Sequence, residues 1–315
     1  MNISTRIYIF NGFLDSGKTS FINDTIYNTD FCYREKTVIV VSEEGEEAFD
    51  AKQLRRYDCY VEYVEMEEDL DEDFFNGLKK KYHPTQVFIE LNGMYDTQKV
   101  IDVDKPKGWE VVQIITTINS KTFTLYVNNM RSLVYSQVVN SDMVILNRMD
   151  ETMKKSFYRN TLKSINGNIQ IMYENEDGSM NETEDEELPY DIESDYLDVL
   201  DHDFGIFCYD TLDHPERYDK KTIKIRGIYL GQDQFINNGF VLGRQAMVCC
   251  EQDTKTIGLI CVHQSCDQLI PGEWIEVEGQ LNMRFDEEYD SNIDVLYVSD
   301  INVIQPLANP YVTFD

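Results

Sequence analysis

The densest chemistry in the chain lies in eight residues, Gly12-Phe13-Leu14-Asp15-Ser16-Gly17-Lys18-Thr19. A glycine, four free positions and then Gly-Lys-Thr is the pattern of a phosphate-binding loop. Gly12 and Gly17 let the backbone curl so that successive N–H groups converge on phosphate oxygens. Lys18 brings a point charge for the β- and γ-phosphates, and the Thr19 hydroxyl suits Mg²⁺. Asp15, Ser16 and Ser20 complete the stretch expected around the phosphates. Two carboxylates belong to the same chemistry. Glu43 follows the apolar run 36–41, and Glu90 closes the apolar run 86–90. An acid at the carboxyl end of a strand beside a phosphate site can hold Mg²⁺ or its waters. Lys18, Glu43 and Glu90 are therefore the catalytic candidates, acting by positioning and charge. Thr19, Glu43 and Glu90 are the candidates for Mg²⁺. Gly93 can offer its N–H to a γ-phosphate. Asn147-Arg148-Met149-Asp150 ends another apolar run, where Asn147 and Asp150 suit guanine: the Asp accepts from a donor pair that adenine lacks.

These residues need a scaffold that gathers strand ends. Residues 6–10 read as a short buried strand, and 19–26 as a helix with Phe21, Ile22 and Ile26 near one face. Further strands are expected at 36–41, 86–93, 111–118 and 142–150, with a helix at 74–82 behind the acidic run 62–73. Strands alternating with helical stretches predict an α/β fold, a phosphate-loop NTPase domain with a mostly parallel sheet.

Taken together, residues 5–171 resemble the nucleotide-binding domain of CobW-type GTPases, relatives of HypB and UreG. The family loop Gly-Phe-Leu-Gly-Ala-Gly-Lys-Thr corresponds to Gly12–Thr19. Its Asn-Glu-Phe-Gly-Glu corresponds to Ser42-Glu43-Glu44-Gly45-Glu46, followed by Asp50. Its Glu-Thr-Ser-Gly corresponds to Glu90-Leu91-Asn92-Gly93, its Asn-Lys-x-Asp to Asn147–Asp150, and its Leu-Asn-Pro to Ile165-Asn166-Gly167. The resemblance implies GTP or GDP with Mg²⁺, and assistance to metal-cofactor assembly. The chain departs from the pattern between these motifs. Where the family carries Gly-Cys-x-Cys-Cys, a thiolate metal site, residues 64–70 read Val-Glu-Met-Glu-Glu-Asp-Leu, with Cys59 the only thiol nearby. Zinc is thus not supported by the family's cysteine motif.

Residues 174–203 hold fourteen acidic residues and no Lys or Arg. They are read as a linker with a short amphipathic helix at 191–200, dividing a domain at 1–173 from one at 204–315. Beyond it the period becomes two, at 222–228 and 274–281. With 239–250, 257–262 and 294–304 these make five strands, expected to form a small OB-like β-barrel. Gly239–Cys250, Ile257-Gly258-Leu259 and Pro271–Gly279 resemble the C-terminal region of YcgQ-type proteins, described as permease accessory proteins. Cys249, Cys250, Cys261, His263 and Cys266 are the one set with metal-ligand chemistry in this half. The alternative is buried thiols acting as small hydrophobes, favoured because neighbours on a strand point to opposite faces.

Charge narrows the functions. The 315 residues carry 28 Lys and Arg against 58 Asp and Glu, a formal charge of −30. Such a surface repels nucleic acid and anionic membranes. No stretch is apolar for long enough to insert in a bilayer, and the amino end shows no signal-peptide pattern. Seven scattered cysteines suggest no disulfide framework. The expectation is a cytoplasmic, slow, Mg²⁺-dependent GTPase that assists or regulates a protein partner, a permease or a metalloprotein. The alternative is a nucleotide-dependent scaffold without useful turnover, whose barrel binds the partner.

Overall fold

The computed structural model describes residues 3–150, 152–180, 188–250, 253–286 and 291–312. The chain forms two compact units, residues 1–153 with 168–183, and residues 154–167 with 184–315.

The first unit opens with β1 (Thr5–Asn11), the phosphate loop and α1 (Lys18–Asn28). It continues with β2 (Thr37–Val41), α2 (Ala51–Leu54), β3 (Cys59–Tyr63), α3 (Glu72–Tyr82), β4 (Gln86–Glu90), α4 (Thr97–Asp102) and β5 (Trp109–Asn119). Next come α5 (Ser120–Asn129), α6 (Arg131–Val138) and β6 (Met143–Met149). The helix α7 (Lys155–Ile165) falls in the second unit, and β7 (Gln170–Asn175) returns to the first. The seven strands lie in the order β3-β2-β4-β1-β5-β6-β7 and every pairing is parallel. β1 shows why it is central. Ile7 and Ile9 join the core that includes Val87, Ile89 and Phe75, while Tyr8 and Phe10 join the one holding Ile22, Ile26 and Phe88. A strand buried on both faces must be apolar throughout, and α1 covers one face through Ile22 and Ile26, four residues apart.

Register then gathers the chemistry. Phe10 pairs with Glu90, Val41 also pairs with Glu90, and Asn119 pairs with Asn147. The loops leaving β1, β2, β4 and β6 therefore share the carboxyl edge of the sheet, where open α/β sheets bind ligands.

The second unit adds β8 (Tyr196–Asp198), α8 (Phe204–Asp213), β9 (Thr222–Gln232), β10 (Gly239–Cys250), β11 (Asp253–Val262), β12 (Trp274–Asp286), β13 (Ser291–Val303) and β14 (Tyr311–Val312). The order β10-β11-β13-β12-β9, with a further β9–β10 pairing, closes five strands into a barrel. All of these pairings are antiparallel except β11–β13. Phe204, Phe207 and Cys208 of α8 share the barrel core with Ile223, Phe240 and Val277. Arg159 and Lys163 of α7 form ion pairs with Asp213 of α8 at 2.5 and 3.2 Å.

The structure revises several expectations. Within 191–200 there is no helix but the three-residue strand β8: Leu197 and Val199 are buried while Tyr196, Asp198 and Leu200 face out, a period of two. The acidic stretch is shorter as a linker than read, because β7 runs to Asn175 and Glu174 bridges to Met180; residues 181–187 lie outside the described residues. By compactness α7 groups with the barrel's unit, although it precedes the expected boundary at 173. No helix among the described residues is long and apolar enough to cross a membrane.

Candidate functional site

The phosphate loop takes the backbone that its glycines allow. Gly12 and Gly17 sit at φ 134° and 102°, values that L side chains rarely adopt. A Cβ on Gly17 would stand 2.6 Å from Asn147 Nδ2, so the loop has no room for one. Ser16 Oγ lies 2.8 Å from Thr117 Oγ1, which fastens the loop to β5. The eleven-residue α1 begins at Lys18 with no side-chain cap at its amino end. Uncapped first-turn N–H groups and the helix dipole both favour an anion there.

Lys18 is 3% exposed and spends its three donors on Gly12 O at 2.7 Å, Phe13 O at 2.9 Å and Glu43 Oε2 at 2.7 Å. A buried ammonium requires such partners. Glu90 is equally buried, and its Oε1 accepts from Thr19 Oγ1 at 2.7 Å. Its other oxygen, Oε2, is buried with no hydrogen-bond partner. Burial pushes the Glu90 carboxyl above its ordinary range; Thr19 and Lys18 oppose the shift, while Glu43 and Glu47 add to it. A partnerless carboxylate oxygen beside a threonine hydroxyl is a hard-oxygen donor set, so these residues fit a divalent cation such as Mg²⁺. Lys18, Thr19, Ser20, Glu43, Glu47 and Glu90 all line one cleft. Ser20 Oγ donates to Glu47 Oε2 at 2.7 Å.

Gly93 packs on the loop: a Cβ there would lie 2.4 Å from Gly12 O. Asp15 Oδ1 accepts from Glu46 N at 3.2 Å and so ties the loop to the segment after β2. On the other flank, Asn147 Nδ2 donates to Ser16 O at 2.7 Å, and its buried Oδ1 has no partner. Arg148, at φ 58°, donates from Nη1 to Asp15 O at 3.1 Å. Asp150 is half-buried and accepts from the Thr152 N–H at 2.8 Å and from the Thr152 hydroxyl, which holds its carboxyl below the ordinary range.

The structure thus brings the loop residues 12 and 15–20 together with Glu43, Glu90, Gly93 and Asn147, with Asp150 three residues beyond Asn147. It does not assemble the cysteine set. Cys261 pairs in register with Phe240, whereas Cys250 pairs with Asp253, ten residues further along β10. At the rise of a strand that is roughly 30 Å. Cys261 and Cys266 are buried, with thiols pushed up by burial, and His263 Nδ1 accepts from Ser265 N at 3.2 Å. The side chains of Cys249 and Cys250 lie outside the described residues. Among the described residues no three His, Cys, Asp or Glu side chains converge on a metal position. Asn11, Glu47, Thr117 and Gln137 are site neighbours that the sequence reading missed. Asn11 and Glu47 adjoin motifs that could have flagged them; Thr117 and Gln137 carry no local signal.

A parallel sheet with this loop at its carboxyl edge is a phosphate-loop nucleotide-binding domain. More narrowly, the chain belongs to the CobW/HypB/UreG family: that family's nucleotide-binding domain model matches residues 6–173. The DUF1980 C-terminal domain model matches residues 173–313. The UPF0703 protein YcgQ of Bacillus subtilis (strain 168) is 26% identical over 117 residues, which cover 37% of this chain and 41% of that protein's length, well under two thirds. Among solved structures, the hydrogenase maturation factor HypB from Archaeoglobus fulgidus aligns over 56% of this chain and 84% of its own, at 16% identity and a TM-score of 0.41. The Zn(II)-bound YjiA GTPase from E. coli aligns over 96% and 90%, at 13% identity and a TM-score of 0.44.

Proposed function

We propose that this protein binds GTP with Mg²⁺, hydrolyses it slowly in the cytoplasm, and uses the nucleotide state to assist or regulate a metal-homeostasis or transport partner. The observation that carries the reading is the buried, partnerless Glu90 Oε2 beside the Thr19 hydroxyl, in one cleft with Lys18. Thr19 and Glu90 would hold Mg²⁺, which when bound supplies positive charge to the phosphate oxygens. The chain's own groups do the rest. The curled loop and the first turn of α1 present N–H groups to the phosphates. Phosphate oxygens compete with Glu43 for the Lys18 ammonium, so a triphosphate releases Glu43 from its 2.7 Å ion pair. Asn147 and Asp150 read the guanine. The partner, a permease or a metalloprotein, is drawn from the family match and from the YcgQ likeness of the barrel half.

One observation favours the scaffold without turnover. Residues 91 and 92, Thr-Ser in the family pattern, are here a fully buried Leu91 and an Asn92 whose Oδ1 is taken by the Met94 N–H. Neither offers a hydroxyl beside the phosphates. Single-turnover hydrolysis of bound GTP, with and without Mg²⁺, separates the two. A Mg²⁺-dependent rate above solution hydrolysis supports the slow GTPase. Tight binding with no cleavage supports the scaffold, and no binding refutes both.

A further inference from the structure

A buried glutamine outside every motif touches the segment that would sense the γ-phosphate. Gln137 of α6 is 2% exposed, and its Nε2 donates to Gly93 O at 2.7 Å. Its backbone carbonyl is fixed from three sides, by Ser141 Oγ at 2.7 Å, Thr116 Oγ1 at 3.1 Å and Asn11 Nδ2 at 3.5 Å. Asn11 in turn accepts the Gly12 N–H at 2.8 Å and donates to Thr97 Oγ1 at 2.7 Å. One buried polar network therefore links the first residue of the phosphate loop to Gly93.

The amides around Gly93 add a second observation. Asn92 N donates to Ser42 Oγ and Met94 N to Asn92 Oδ1, both at 2.9 Å. Between them, the Gly93 N–H has no acceptor among the described residues. A glycine has no side chain to hold its peptide planes, and contact with Gly12 O restrains only its Cα. The peptide that carries the Gly93 N–H is held through Asn92 O, which accepts from Tyr95 N at 2.9 Å; the peptide on the other side of its Cα is held through the Gly93 carbonyl, and that second grip is Gln137.

We infer that Gln137 is a positioning residue for triphosphate recognition: it fixes Gly93 so that the free N–H is ready for the γ-phosphate. The inference rests on the reading of the cleft as a GTP site. A packing role would weaken GTP and GDP binding alike. A positioning role weakens GTP alone, because GDP has no γ-phosphate.

The test is competition binding of GTP and GDP to the full chain. Gln137→Met removes the donor at similar volume, and Gln137→Glu offers a donor only when protonated. Ser141→Ala loosens the same network but spares the Gly93 bond. Removing one hydrogen bond that matters only to the triphosphate should cut the GTP-to-GDP affinity ratio about tenfold in Gln137→Met and in Gln137→Glu at pH 8. Relative to wild type at each pH, the Gln137→Glu ratio should recover as the pH falls and the carboxyl takes up its proton, and Ser141→Ala should lower thermal stability with the ratio unchanged. An unchanged ratio in Gln137→Glu at pH 8, or an equal loss in Ser141→Ala, overturns the inference while wild-type GTP binding leaves the site reading intact. Wild type that binds neither nucleotide overturns the site reading and this inference together.

Discussion

Glu90→Gln should stabilise the nucleotide-free protein while impairing its Mg²⁺-dependent binding of nucleotide. In wild type the Glu90 carboxyl is 3% exposed, receives one hydrogen bond from Thr19 and leaves Oε2 without a donor. Glu43 and Glu47 add like charge. Leaving a buried acceptor unsatisfied costs about 1–3 kcal/mol, more when it is charged. Relief of that order, at about 2–4 °C per kcal/mol for a domain of this size, raises Tm by roughly 2–12 °C. The pH dependence has a definite sign. The folded carboxyl titrates above its unfolded value, so between the two the native state holds the extra proton and wild-type stability falls as pH rises. The advantage of Glu90→Gln is thus largest above the folded pKa and shrinks as pH drops through it. Calorimetric melts of both proteins without nucleotide from pH 4.5 to 8.5, with GTP titrations at varied Mg²⁺, measure both effects. A variant that melts lower at pH 8 and keeps normal Mg²⁺ dependence would refute the reasoning.

Lys18→Ala should lower GTP affinity about 100-fold, the order expected from losing charge-assisted bonds to phosphate. The variant should stay folded but melt lower, because Gly12 O and Phe13 O lose their donor while Glu43, at 12% side-chain exposure, can rehydrate; equilibrium titration and a thermal melt check both. Asp150→Asn should narrow the GTP-to-ATP affinity ratio about tenfold, since the amide sets a donor against guanine's donors, and the ratio is read by competition. In the barrel unit, Arg244 is 1% exposed and donates to Asp201 O, Asn309 O and Tyr311 O at 2.6, 2.9 and 3.1 Å. Arg244→Met strands three carbonyls and should destabilise this unit by about 2–4 kcal/mol, read as earlier urea unfolding and faster amide exchange at 309–312.

The phosphate loop was legible because its chemistry admits few residue types: Gly12, Gly17, Lys18 and Thr19 each have one physical reason to stand where they do. Glu90 was legible from its place at the end of an apolar run. Gln137 was not, because its role lies in register and helix packing that bring residues 93 and 137 together. Residues 154–167 carry no sequence signal for the unit they join; the ion pairs of Arg159 and Lys163 to Asp213 tie them to α8. α8 was missed because Phe204, Gly205, Phe207, Cys208 and Tyr209 are all buried, so its pattern has no polar face to mark the period. The cysteine set looked close in sequence, but the β10–β11 hairpin register holds Cys250 and Cys261 apart.

Titration calorimetry of the nucleotide-free protein with GTP and with ATP, each with and without Mg²⁺, tests the central claim most directly. The account predicts Mg²⁺-strengthened GTP binding at least about tenfold tighter than ATP, given the acceptor that Asp150 offers to guanine. Equal affinity for the two would contradict the base assignment, and GTP binding indifferent to Mg²⁺ would contradict the role given to Thr19 and Glu90.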